Sequence, residues 1–110
     1  MKNTTAKGLE AEGVACEYLE NLGYKVVARN VRKKFSEIDI IAIKNGVYRF
    51  VEVKSGESFD PVYNMTSQKI KKIIKGMHSY MAANKIDAPY CIDLVAVRNG
   101  ECELYENVTF

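Results

Sequence analysis

The chain has 110 residues, of which 47% are hydrophobic, 27% charged and 10% aromatic. That is the size and make-up of one globular domain with a real core and no room for a second. Two prolines and seven glycines exclude collagen-like or low-complexity disorder, and sixteen Lys+Arg against fourteen Asp+Glu leave a net charge of +2 that by itself indicates no partner.

The apolar runs are too short to span a bilayer, and the first residues, Met1 to Thr4, lack the apolar centre of a signal peptide. The expectation is a soluble, cytoplasmic chain with no membrane partner. Cys16, Cys91 and Cys102 are widely spaced, without a C-x-x-C pair, and read as buried reduced thiols. His78 is the single histidine, which speaks against histidine-rich zinc sites and a Cys/His nucleophile pair. Neither a G-x-S-x-G elbow nor a phosphate-cradling or dinucleotide glycine motif occurs. Chemistry has to come from carboxylates and lysines.

In chain order, residues 5–22 carry Ala11, Val14, Ala15, Tyr18, Leu19 and Leu22 at helical spacing, with Thr4 or Thr5 as N-cap and Gly23 as a left-handed C-terminal cap. Residues 24–31 read as a strand, followed by the basic stretch Arg32, Lys33 and Lys34. The β-branched runs 37–43 and 47–54 flank Asn45-Gly46, the strongest short-range hairpin signal. Residues 56–65, with Asp60-Pro61, read as a loop. Thr66 caps a second helix reaching about residue 84, with the stripe Ile70, Ile73, Ile74, Met77, Tyr80 and Met81. Residues 90–97 and 101–105 form a final hairpin about Asn99-Gly100. The order is α-β-β-β-α-β-β: an α/β fold with one central mixed sheet flanked by two helices.

A two-residue loop at Asn45-Gly46 sets Lys44 opposite Val47. Extended along the hairpin, that register sets Asp39 opposite Glu52 and Glu37 opposite Lys54. Period-2 alternation then gathers Glu37, Asp39, Ile41 and Ile43 with Tyr48, Phe50, Glu52 and Lys54 on one face, and Ile38, Ile40 and Ala42 with Val51 and Val53 on the other. Opposed carboxylates destabilise a sheet unless one is protonated, a cation neutralises both, or Lys54 suffices alone. Oxygen ligands without His or Cys suit a hard ion, Mg²⁺ or Mn²⁺, and Lys54 on the same face can stabilise a phosphoryl charge or orient an attacking water. The competing interpretation is an ion-pair cluster at the sheet end, with Lys54 bridging Glu37 and Glu52.

Asp39, then after a hairpin Glu52-Val53-Lys54, resembles the D…E-x-K motif of the restriction-endonuclease-like, PD-(D/E)XK, nuclease superfamily. Gly8, Glu12, Ala15 and Tyr18-Leu19, then Gly23-Tyr24, Asn30, Glu37 to Ala42, Phe50 to Lys54, Thr66 with Lys69, and Ile92 to Val95 are together similar to the YraN family of small bacterial proteins. Archaeal Holliday-junction resolvases resemble the same skeleton more distantly. The resemblance implies an αβββαβ core and a nuclease acting on DNA, with branched or structured DNA as a candidate substrate and RNA as a further one. It further implies Asp39 and Glu52 as metal ligands, Lys54 as the catalytic lysine, Glu12 completing the site, and the Val53 carbonyl as a further ligand. Three departures stand out: Ser36 where the family usually has Gly, Gly56 where a basic residue usually follows E-x-K, and Ile38 before Asp39 where the superfamily has Pro.

Glu12 borders the first helix's apolar stripe, which fits either a site role or a boundary ion pair. No acid falls between residues 61 and 86, and Lys71, Lys72 and Lys75 point away from the second helix's stripe, as a solvated face or a phosphate-binding one would. Gln68 and Lys69 sit in the first turn, a natural phosphate position, and with Lys72, Arg32, Lys33 and Lys34 they would line a nucleic-acid channel. A non-catalytic nucleic-acid-binding or protein-interaction module on a nuclease fold is the alternative function. The edge strand 101–105 is a candidate homodimer seam.

Overall fold

The apolar stripes and turn residues produce the expected elements. In a computed structural model, described over residues 6–33, 36–56 and 65–108, these are α1 (Ala6–Asn21), β1 (Lys25–Lys33), β2 (Ser36–Lys44), β3 (Val47–Ser55), α2 (Ser67–Ala83), β4 (Tyr90–Arg98) and β5 (Glu101–Tyr105). The proposed N-caps Thr4 and Thr5, and Asp60-Pro61, lie outside the described residues.

Gly23, at φ +91°, ends α1. Its N–H donates to Glu20 O and the Tyr24 N–H to Leu19 O, both at 3.0 Å, which is the Schellman pattern. Thr66 caps α2 by accepting the Lys69 N–H on its hydroxyl at 3.3 Å. Asn45-Gly46 and Asn99-Gly100 both take positive φ at both positions, as type I′ turns require.

The strands form one sheet in the order β1-β2-β3-β4-β5. β3 and β4 are parallel and joined through α2, the crossover a parallel pair needs; the other neighbours are antiparallel. α1 covers one face, where Ala11, Ala15 and Leu19 meet Ile40, Ala42, Val51, Val53, Val95 and Val97. α2 covers the other, where Ile73, Met77 and Met81 meet Ile38, Ile41, Phe50, Ile92 and Leu94. The result is an α/β fold with the αβββαβ core compatible with restriction-endonuclease-like proteins, extended by β5. No helix among the described residues is long and apolar enough to cross a membrane.

Two features of the hairpin differ from the sequence reading. The predicted register holds from Lys44↔Val47 to Ile40↔Val51 and stops there, so neither Asp39↔Glu52 nor Glu37↔Lys54 is a ladder pair. Ile38, expected beside Ile40 and Ala42, packs instead on the α2 side with Ile41. Strict alternation fails at Asp39, and the physical reason lies in the hydrogen bond its side chain makes.

Candidate active site

β3 keeps its alternation throughout. Val51 and Val53 face α1 while Phe50 faces α2, so Glu52 and Lys54 extend from the α2 face toward the strand's end. Lys54 Nζ lies 3.7 Å from Glu52 Oε1, and both side chains are mostly covered. The two are second neighbours on one face of one strand, which is how the E-x-K spacing delivers a carboxylate and an ammonium to the same place.

Asp39 reaches this point from the neighbouring strand. It is fully buried, and its Oδ2 accepts the backbone N–H of Val53 at 2.8 Å. That N–H belongs to the peptide joining Glu52 to Val53. The side chain of Asp39 thus occupies the place that a β2 backbone carbonyl would otherwise take, and the β2–β3 ladder ends one residue earlier. An acid is brought against the E-x-K segment by replacing a ladder bond, at no loss of a partner for the buried N–H.

Glu12 is 3% exposed and lies on the helix covering the α1 face, inside the packed boundary rather than on the surface. Glu37 does not face Lys54. It pairs across β1–β2 with Arg32, Nε to Oε1 at 3.7 Å. The competing cluster, with Lys54 bridging Glu37 and Glu52, is therefore only half present: Lys54 meets Glu52, and Glu37 is engaged elsewhere. Among the described residues no three His, Cys, Asp or Glu side chains converge into a cage that could hold a metal alone.

Of the residues expected to line a nucleic-acid channel, Arg32 is exposed on β1, and Gln68, Lys69 and Lys72 are exposed on the first turns of α2. Lys34 and the side chain of Lys33 lie outside the described parts. His78 makes a 2.8 Å hydrogen bond with the Tyr90 hydroxyl at the surface, ring edge to ring face.

A polar cluster that the sequence reading gave no role lies on the α1 face. Asp93, fully buried on β4, accepts the Tyr24 hydroxyl at 3.0 Å and the Asn107 backbone N–H at 2.8 Å. Arg49 Nη1 stands 3.3 Å from its Oδ1. Burial and the neighbouring Asp93 carboxylate push the Tyr24 phenol well above its usual range. The same two causes raise the Cys91 thiol to about 11. Its signal in the sequence was an acid inside the otherwise apolar run 91–97, which must find partners if it is to be buried ionised. The cluster ties α1's C-terminus and the segment after β5 to the sheet.

A five-stranded mixed sheet of this topology, covered by two helices, is compatible with a restriction-endonuclease-like core. The chain belongs to Uncharacterised protein family UPF0102, whose profile matches residues 11–97; this is the YraN family whose motifs the sequence carries. A UPF0102 protein of Helicobacter pylori (strain HPAG1) is 53% identical over 105 residues, covering 96% of this chain and 92% of the relative. Its counterpart in Helicobacter hepaticus is 49% identical over 107 residues, 97% of each chain. That of Wolinella succinogenes is 49% identical over 104 residues, 94% of this chain and 96% of the relative.

Proposed function

We propose that this protein is a Mg²⁺- or Mn²⁺-dependent nuclease that hydrolyses phosphodiester bonds in DNA, with branched or otherwise structured DNA as its substrate class. The observation carrying the reading is the buried Asp39 carboxylate held against the Glu52–Val53 peptide, beside the Glu52–Lys54 pair. A fully buried carboxylate withdrawn from its ladder position is a costly arrangement for stability alone.

The donor set suits a hard ion. Asp39 and Glu52 would hold it, with the Val53 carbonyl in support, all oxygen donors; Glu12, expected to complete the site, is buried on α1 and does not converge with these two carboxylates. Mg²⁺ is commonly held by one or two carboxylates, its remaining positions filled by water and substrate phosphate, so a cage of three side chains is not required. When bound, such an ion supplies Lewis acidity and a water of lowered pKa. Lys54, restrained by Glu52, orients the attacking water and offsets charge on the phosphoryl oxygens. Arg32, Lys33, Lys34, Gln68, Lys69 and Lys72 receive the nucleic-acid backbone, where contacts position rather than specify.

The test is cleavage of four-way junction, flap, single-stranded and duplex DNA in Mn²⁺ or Mg²⁺. Loss of cutting in Asp39→Asn, Glu52→Gln and Lys54→Ala is expected. Cleavage unchanged in Glu52→Gln would refute the assignment.

A second reading is favoured by one observation: the Glu52 carboxylate is already paired with the Lys54 ammonium. In that reading the protein binds nucleic acid without cutting it. Salt-sensitive binding that ignores both Mn²⁺ and Asp39→Asn would favour it over the first.

A further inference from the structure

Asp39 is not the only irregular residue at its level of the sheet. On β2, Ile38 and Ile41 pack on the same α2 side although they are three residues apart. On β1, Ala28 and Val31 do the same. Regular strands return to one face every second residue, so each strand has slipped by one. The slips are matched, because Ala28↔Ile41 and Val31↔Ile38 bracket both of them.

A common bulge adds a residue to one strand and shifts the register. Here Arg29↔Ile40 and Val31↔Ile38 keep one register, and the step between them sets Asn30 opposite Asp39, a pair missing from the ladder. Asn30 has φ +51° inside β1. Among non-glycine residues, Asn is one of the few that tolerates this left-handed region. Its carboxamide oxygen is buried without a hydrogen-bond partner among the described residues. What Asn30 brings to this position is therefore its backbone rather than a side-chain bond.

We infer that Asn30 is a positioning residue for Asp39: its left-handed backbone lets β1 follow the slip of β2, and that slip is what turns the Asp39 carboxylate onto the Val53 N–H. The bearing of this device on catalysis rests on the proposed function; the geometric claim does not. Residues with an ordinary side chain are strained at positive φ, and β-branched ones most of all, whereas glycine is at ease there. The position should therefore sort substitutions by backbone tolerance and not by polarity.

The experiment uses ¹⁵N-labelled full-length protein and follows the Val53 amide, its chemical shift and its exchange with solvent, in wild type, Asn30→Gly, Asn30→Ala and Asn30→Val. Asp39→Ala sets the size of a complete loss, and the Asn107 amide, bonded to Asp93, is the internal reference. Asn30→Gly should leave Val53 as in wild type. Asn30→Ala should move its shift toward that of Asp39→Ala and speed its exchange about tenfold, with Asn107 unchanged. Asn30→Val should go further, and Asn30→Ala carries the test where the valine variant is too unstable to assign. A Val53 amide displaced in Asn30→Gly as far as in Asp39→Ala, or unmoved in Asn30→Ala, overturns the inference. Because this readout needs neither metal nor DNA, wild type that cuts nothing removes the proposed nuclease and leaves this result standing.

Discussion

The Asp39 carboxylate and the Val53 backbone N–H are joined by a 2.8 Å hydrogen bond between strands that have stopped pairing. A buried donor deprived of its acceptor costs about 1–3 kcal/mol. Asp39→Ala should lose about that much stability in urea denaturation. Asp39→Asn, which keeps a carboxamide oxygen for the Val53 N–H, should lose less. The two variants should nevertheless be alike in losing any thermal stabilisation by millimolar Mn²⁺, because ligation needs the charge that both lack. Equal stability loss in the two would mean that the hydrogen bond is not what Asp39 contributes to folding.

Asp93 makes a contrasting case. Its carboxylate is also fully buried, but it is surrounded by Tyr24, Arg49 and the Asn107 N–H, with Cys91 beside it. Removing one partner of a buried ion pair costs more than the pair contributes, since the other charge is left uncompensated. Such losses run to about 3–5 kcal/mol, and Arg49→Met should destabilise the fold by about 3 kcal/mol, the low end because Arg49 keeps an exposed edge. Asp93→Asn combined with Arg49→Met should recover part of the loss, measured as a double-mutant cycle. DNA cleavage per folded molecule should be unaffected, as Arg49 and Asp93 alternate onto the α1 face of the sheet, opposite to Glu52 and Lys54.

Local chemistry made most of this fold readable in advance. Gly23, Thr66 and the two Asn-Gly turns each have one favoured conformation, so element ends and hairpin register followed directly from residue type. The stripes Ile73/Met77/Met81 and Ala11/Ala15/Leu19 chose the covered faces. Extrapolating alternation through Asp39 failed, because a side chain there competes with the ladder for a backbone N–H, and nothing in a period-2 pattern signals that competition. For the same reason Asn30 read as an ordinary strand residue, although its conformation is not that of a strand. The hairpin register and the D…E-x-K motif single out Asp39, and the motif setting singles out Glu12; how deeply both are buried is not evident from residue type.

Gly76 of α2 packs directly against β2. A Cβ built there would collide with Ser36 Oγ and lie 3.3 Å from Ile38 Cδ1. In an exposed helix Gly→Ala is stabilising by about 1 kcal/mol. Overpacking of this kind costs about 1–3 kcal/mol, so Gly76→Ala should be net destabilising by about 1 kcal/mol. Ser36→Gly removes the colliding atom, and the Ser36→Gly/Gly76→Ala double variant should recover the helix gain. Thermal melts of the four proteins decide it, and additivity of the two changes would show that the residues do not meet.

The exposed basic residues of α2 make a prediction about salt. Each phosphate neutralised on duplex DNA contributes about 0.9 to the slope of log K against log salt. If Lys69 and Lys72 each hold one phosphate, Lys69→Gln/Lys72→Gln should reduce the slope by about 2 and weaken binding to all DNA forms alike. Fluorescence anisotropy between 50 and 200 mM salt measures it, as an order-of-magnitude window in which such slopes are about linear. An unchanged slope would place the DNA elsewhere, with the lysine face left as a solvated surface.

Alkaline pH should weaken the fold through its cysteines, Cys91 above all. Burial, then the Asp93 carboxylate, raises Cys91 from 9.0 to about 11, and burial raises Cys16 and Cys102 as well. A thiol whose folded pKa lies above its unfolded one favours the folded state fully below the unfolded value, and that contribution is lost as pH rises to the folded one. For Cys91 the window runs from 9.0 to about 11. The urea midpoint should therefore fall across that range, and fall less steeply in Cys91→Ala. Over the same range Cys91 should stay slow to alkylate in the folded protein and react freely once the chain is unfolded, because the thiolate is the reactive form. Rapid alkylation of native Cys91 at pH 8.5 would show that its burial is not maintained in solution.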